Sequence, residues 1–299
     1  MAGRMIAPAK HLLALAALAI AGPSGEAVVR DVDPALWVAR DADTTIYLFG
    51  TVHLLKPGLS WFDEAVADAF ARADTLVLEI ATPDPAEMRT LTDRYGTLGD
   101  GPPLSARLPA GYAEKLAAAT RAIGYPAGAF ERSRPWVVAS ALSVQPLSGH
   151  GYDRALGVEA VLTDAAARAG KPVEALETLE DQYRIFADLP DATQIEMLTR
   201  VLDGQDQVEV ATDQAVAAWS KGDERGLARV LADDMAQTPA SVRDRLVDRR
   251  NANWATWIAA RMARPGTVFV AVGSGHLAGK GSVQRLLAKR GVKVTQVRY

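Results

Sequence analysis

Two short stretches of the 299-residue chain place a histidine at the same point of the same pattern. Tyr47-Leu48-Phe49-Gly50-Thr51-Val52-His53-Leu54 and Val270-Ala271-Val272-Gly273-Ser274-Gly275-His276-Leu277 each run an apolar segment into Gly-x-x-His-Leu, with a further glycine at Gly58 or Gly279. The chain holds four histidines, His11, His53, His150 and His276, so two in matched positions point to a site. In open α/β sheets ligands bind beyond the carboxyl ends of strands, where glycine lets the backbone turn tightly. Two imidazoles with one carboxylate form a common set of ligands for a divalent ion. Glu79 closes the apolar run Thr75–Glu79, and Glu177 closes Val173–Glu177. A carboxylate ending a buried strand is costly unless it is paired or coordinated. The reading therefore assigns His53, His276 and Glu79 as metal ligands, with Glu79 able to act instead as a general base and Glu177 as its companion. His150, between Gly149 and Gly151, is expected at a loop or pocket rim.

These residues need strands to present them and helices to cover the strands. Thr45–Phe49 and Thr75–Ile80 are β-branched and aromatic runs of strand type, and Trp61, Ala65, Val66, Ala69 and Phe70 between them fall at helical spacing. Residues 82–110 carry Pro83, Pro85, Pro102, Pro103 and Pro109 and are read as irregular chain or short helices. An Ala-rich helical region is expected over about residues 111–169, broken near 124–126, 134–136 and 149–151. A short strand over 171–177 is followed by helix almost throughout 180–262, with breaks at Gly204 and 221–223. Strand Thr267–Val272, a Gly-rich loop, a helix near 283–290 and strand Val292–Val297 complete the chain. The expected fold is α/β, with one mixed central sheet, a large helical insertion lobe, and two strand–Gly-x-x-His–helix–strand units related by a pseudo-twofold. Neither strand group is large enough to stand alone, so residues 28–299 are read as one domain.

Arg4 and Lys10 precede the apolar run Leu12–Ala21, and small residues follow to Ala27, the layout of a signal peptide over residues 1–27. The apolar run is too short to span a bilayer comfortably, so export to a periplasm or medium is expected, with no stable transmembrane span. Cleavage there removes two cations and one anion, taking the net charge from −3 to −4, and His11 leaves with the leader. The acidic balance gives no footprint for nucleic acid, because phosphate binding needs a basic surface. The absence of cysteine removes disulfides, thiolate ligands and a thiol nucleophile. No Gly-x-Gly-x-x-Gly after a strand, P-loop, His-Glu-x-x-His or Gly-x-Ser-x-Gly elbow occurs.

Phe49–Gly58, Leu76-Val77-Leu78-Glu79, Arg134-Pro135-Trp136, Leu176–Gln182, Asp248-Arg249-Arg250-Asn251 and Val270–Leu277, taken in order, resemble the TraB/GumN family, also written TraB/PrgY/GumN. The resemblance covers essentially the whole mature chain. It implies kinship with Tiki-type metalloproteases and a fold related to erythromycin-esterase-like (EreA) and ChaN-like proteins. In Tiki proteins the paired Gly-x-x-His motifs are associated with divalent-metal-dependent proteolysis, so manganese, cobalt or zinc is the expected cofactor. Arg134, Arg249 and Asn251 match polar family positions suited to orienting ligands or binding a substrate carboxylate. One departure is Gly157-Val158-Glu159, where the family commonly has Gly-Val-Asp.

The leading expectation is an exported metal-dependent hydrolase, a peptidase, in which the ion activates water and Glu177 or Glu159 takes the proton. A second reading keeps the site without the ion: His53 or His276 is the base, and Glu79 and Arg134 position an ester or lactone. A third is capture of a peptide or small ligand without turnover. In all three the partner is a peptide or small molecule.

Overall fold

The computed structural model describes residues 29–298, apart from the side chains of residues 233–237. The expected signal peptide lies outside the described residues. Along the chain run β1 (Arg30–Asp31), β2 (Leu36–Arg40), β3 (Thr44–Thr51), β4 (Leu59–Ser60), α1 (Glu64–Arg72) and β5 (Thr75–Leu78). A helical stretch follows: α2 (Pro85–Gly96), α3 (Leu104–Arg107), α4 (Tyr112–Ala122), α5 (Pro135–Gly149) and α6 (Val158–Ala169). After β6 (Val173–Ala175) come α7 (Leu179–Ala187), α8 (Asp191–Asp203), α9 (Val208–Trp219), α10 (Glu224–Gln237) and α11 (Ala240–Arg243). A π-helical turn, Asp244–Asp248, leads into α12 (Arg249–Arg261), and β7 (Gly266–Gly273), α13 (Val283–Lys289) and β8 (Val294–Gln296) close the fold.

The six-stranded sheet has the order β6-β5-β7-β3-β2-β8. β6, β5, β7 and β3 are parallel, while β2 pairs antiparallel with both β3 and β8. β2 is therefore the one inverted strand in a mixed sheet, as the expected fold class requires. The two histidine-bearing strands are direct neighbours, paired from Thr44↔Gly266 to Thr51↔Gly273. From that seam the chain leaves in opposite directions, β3 through α1 to β5 and β7 through α13 to β8. Alternate residues of the strands face opposite cores, as a period of two demands. Tyr47, Phe49, Leu76, Leu78, Phe269 and Ala271 pack with Val66, Ala69 and Phe70 of α1. Ile46, Leu48, Val77, Val268, Val270 and Val272 pack with Trp254, Ile258, Val283 and Leu287 of α12 and α13. The two crossover helices thus pack with opposite cores of the sheet. Each large side chain buried in this way contributes about 1.5–3 kcal/mol.

The helical insertion has its own core, with Leu104, Leu116, Val138, Leu142 and Leu198 from α3, α4, α5 and α8. Several boundaries differ from the sequence reading. The proline-rich stretch contains the full helix α2, because Asp84 accepts the Ala86 N–H and Pro85 sits in the first turn, where its missing N–H costs nothing. The helical run after residue 180 is also broken at Leu189-Pro190 and at Pro239. Strand β2 was not anticipated, since five residues with no polar alternation carry no strand period. No described helix is long and apolar enough to cross a membrane.

Candidate active site

The carboxyl ends of β3, β7, β5 and β6 lie side by side and bring the two motifs and both glutamates to one edge. A side chain at either seam glycine would crowd its neighbours. A Cβ on Gly50 would lie 3.0 Å from the Ser274 Cβ, and one on Gly273 would lie 3.1 Å from Glu79 Oε1. Glu79 stands one residue past β5 and Glu177 two past β6, slightly beyond the strand ends the sequence suggested. The ladder continues to them through Leu176 N–H to Leu78 O and Glu177 N–H to Glu79 O, both 2.9 Å. That pairing sets two carboxylates next to each other, and like charges so placed need a cation between them.

Arg250 supplies it. Its Nε donates to Glu177 Oε1 and Oε2 at 2.9 and 3.0 Å, and its Nη2 reaches Glu79 Oε2 at 2.6 Å and Glu177 Oε2 at 2.9 Å. Its Nη1 lies 3.2 Å from Leu246 O and 3.0 Å from His276 Nε2. Glu79 is further held by the Gly273 N–H at 2.7 Å and by Gln182 Nε2 at 3.2 Å, and Glu177 by the Trp254 indole N–H at 3.0 Å. The Trp254 ring lies under the guanidinium, 4.6 Å from Cζ. Burial works to raise the Glu79 pKa, but Arg250, His276 and the Gly273 N–H outweigh it and hold the carboxyl below its ordinary value.

His276 is buried in the 3₁₀ turn Ser274–Leu277 that follows β7. Its Nδ1 lies 2.5 Å from Asn251 Oδ1, while Asn251 Nδ2 donates to Gly281 O at 2.9 Å. The amide donor on Gly281 leaves Asn251 Oδ1 as acceptor, so His276 carries its proton on Nδ1 and offers the Nε2 lone pair to Arg250. Burial lowers the His276 pKa to about 4, against the opposing pull of Glu79 and with help from Arg250 and His53.

His53 has the opposite setting. Its Nδ1 lies 2.6 Å from Glu159 Oε1, and its side chain is 68% exposed, which turns the other ring edge to solvent. Glu159 raises the His53 pKa above its usual value as the largest influence, and the charge of Glu79 adds to it. In Glu159, burial favours the neutral acid, but His53 and the Thr51 hydroxyl outweigh it and lower the pKa. Glu159 lies in the first turn of α6, docked on the His53 loop by the Val158 N–H to Val52 O bond of 3.0 Å. Gly157 makes that contact feasible: a Cβ there would sit 2.1 Å from the His53 carbonyl oxygen.

The structure gathers His53, His276, Glu79, Glu177, Glu159 and Asn251 at this edge and leaves two expected residues in other roles. Arg134 opens α5, where it contacts Tyr95 O at 3.4 Å and Asp191 at 3.7 Å. Arg249 is 67% exposed and pairs with Asp244 at 2.6 Å on the outer face of α12. Its neighbour Arg250 is the residue that enters the site, and it escaped the sequence reading. The signal was present: Arg250 lies four and eight residues before the buried Trp254 and Ile258, which places it on the inward stripe of the helix. His150 follows the end of α5, 2.7 Å from Glu209, in a cluster where Lys56 reaches Asp213 at 2.9 Å.

Among the described residues no three His, Asp or Glu side chains are grouped to hold an ion. His53 turns to Glu159, while His276, Glu79 and Glu177 all face the Arg250 guanidinium. The donor types suit a divalent ion, but a permanent cation stands where they converge.

A parallel-rich sheet whose connections diverge at a seam, with a polar cluster beyond that seam, defines an α/β protein whose candidate site lies at its topological switch point. The chain belongs to the TraB/PrgY/gumN family, which it matches over residues 35–296. It is similar to the uncharacterized protein YbaP of Escherichia coli (strain K12), 23% identical over 254 residues that cover 85% of this chain and 92% of the relative. The protein of the same description from Shigella flexneri is likewise 23% identical over 254 residues. No solved structure gives a significant match.

Proposed function

We propose that this chain is a hydrolase of ester, lactone or peptide carbonyls in which His53, oriented by Glu159, takes a proton from the attacking water. One observation carries the reading: the His53 imidazole is backed by Glu159 at 2.6 Å and open to solvent on its other edge, at the sheet's switch point. In the reaction, neutral His53 accepts a water proton on Nε2 as the water oxygen attacks the carbonyl carbon. The imidazolium, steadied by Glu159, then returns that proton to the departing oxygen or nitrogen. A raised histidine pKa suits this duty near neutral pH, where a base is most effective with a pKa close to ambient. The Arg250 network fixes the neighbouring strand ends, and no step passes through a metal ion.

The test is hydrolysis by the purified chain of a panel of nitrophenyl esters, lactones and peptides, with and without EDTA. The expected result is turnover that survives EDTA and falls roughly 100-fold or more in His53→Ala. Turnover unchanged in His53→Ala, or none on any substrate, rejects the reading. Turnover abolished by EDTA and restored by manganese or cobalt supports the metal-dependent peptidase instead.

We also propose that the protein is exported, with residues 1–27 as its leader, on the strength of the charged flank, apolar run and small-residue exit. Intact mass of the protein recovered outside the cytoplasm tests this: a species lacking about residues 1–27 supports it, and a full-length cytoplasmic species opposes it.

A further inference from the structure

We propose that Arg250 is the resident cation of this site and stands in the place where the chemistry of the surrounding side chains would otherwise hold a divalent metal. His276 Nε2, Glu79 Oε2 and the Glu177 carboxylate converge on one group, and each lies 2.6–3.0 Å from a guanidinium nitrogen. An imidazole and two carboxylates form a good divalent donor set in type and number. Here every donor is engaged by Arg250. Its Nε donates to Glu177, its Nη2 donates to Glu79 and lies 2.9 Å from Glu177 Oε2 as an ion pair, and its Nη1 faces Leu246 O and His276 Nε2.

A guanidinium held this closely by protein groups on all three nitrogens serves to neutralise and brace. The brace extends outward from His276, since Gly281 O orients Asn251, Asn251 fixes the tautomer, and the tautomer directs the metal-capable lone pair at Arg250. The side chain is 10% exposed and lies over Trp254, which keeps water from competing for it. An arginine keeps its charge at every accessible pH and no chelator removes it. The helix delivers it through the π-helical turn Asp244–Asp248, which contributes the Leu246 carbonyl as the fifth acceptor.

The inference does not depend on whether His53 performs hydrolysis, and its test reads binding rather than turnover. Wild type, Arg250→Ala and the double variant Arg250→Ala/His276→Ala are dialysed against zinc or manganese chloride, and bound metal is measured after desalting. Wild type is expected to retain no stoichiometric ion, Arg250→Ala to retain stoichiometric zinc, and the double variant to lose it. Stoichiometric metal in wild type that disappears in His276→Ala overturns the proposal. So does a folded Arg250→Ala that takes up no zinc. If circular dichroism shows Arg250→Ala unfolded, nitrogen-15 spectra of the wild-type histidines decide. His276 is expected as the Nδ1–H tautomer, unmoved by one equivalent of zinc or by EDTA, and a zinc-induced shift at its Nε2 overturns the proposal.

Discussion

His53 and His276 hold equivalent places after neighbouring strands and are driven in opposite directions from the ordinary histidine value. For His53 the Glu159 contact raises the pKa, so the base form fills at a higher pH than in a free imidazole. Hydrolysis is therefore expected to fall as pH drops through a limb above 6.5, and in Glu159→Gln that limb moves down because its largest cause is gone. The pH profile of kcat/KM checks both. For His276 the folded pKa is about 4 and the unfolded value 6.5. The folded chain binds the proton less readily, so this group's contribution is complete above 6.5 and is lost as pH falls from there toward 4. At about 1.4 kcal/mol per pKa unit the loss reaches roughly 3 kcal/mol. Urea unfolding at pH 7.5 and pH 5 is expected to show about 2 kcal/mol of this drop in wild type, the remainder falling below pH 5, and a smaller drop in His276→Gln.

At the scale of elements, the site depends on how close α6 comes to the His53 loop. Gly157→Ala places a methyl against the His53 carbonyl, so α6 must retreat and carry Glu159 with it. A destabilisation of about 1–3 kcal/mol is expected, as for other forced overpacking, together with a lowered acid limb like that of Glu159→Gln. Thermal unfolding and the pH profile measure the two effects separately. The same scale shows what the sequence could and could not convey. The strands ending at Gly50 and Gly273 were legible because β-branched runs stop at glycines, and Glu79 and Glu177 because acids rarely close apolar strands. Glu159 was named as a base and is paired with His53, a relation that depends on α6 folding back on a loop 100 residues earlier. Arg249 and Arg250 are equivalent as letters in the sequence, and only the helical turn of about 100° between neighbours puts Arg250 on the inward stripe with Trp254 and Ile258.

At the scale of the molecule, strand order was not legible, since the β3–β7 pairing joins segments more than 200 residues apart and rests on shape alone. The three cores separate support from chemistry. Leu142→Ala, in the lobe formed by α3, α4, α5 and α8, is expected to cost about 2–5 kcal/mol while leaving the acid limb in place, since no lobe-core residue touches His53 or Glu159. Denaturant melts alongside the pH profile check this. The buried indole of Trp254 links the core beneath α12 and α13 to the edge of the sheet, with its ring centre 4.5 Å from that of His276 and its N–H on Glu177. An indole in contact with a titrating imidazole and a fixed guanidinium is a built-in optical probe. Its emission dims when the imidazole gains a proton and shifts when the guanidinium leaves, so the state of the site is readable by light with no substrate in hand.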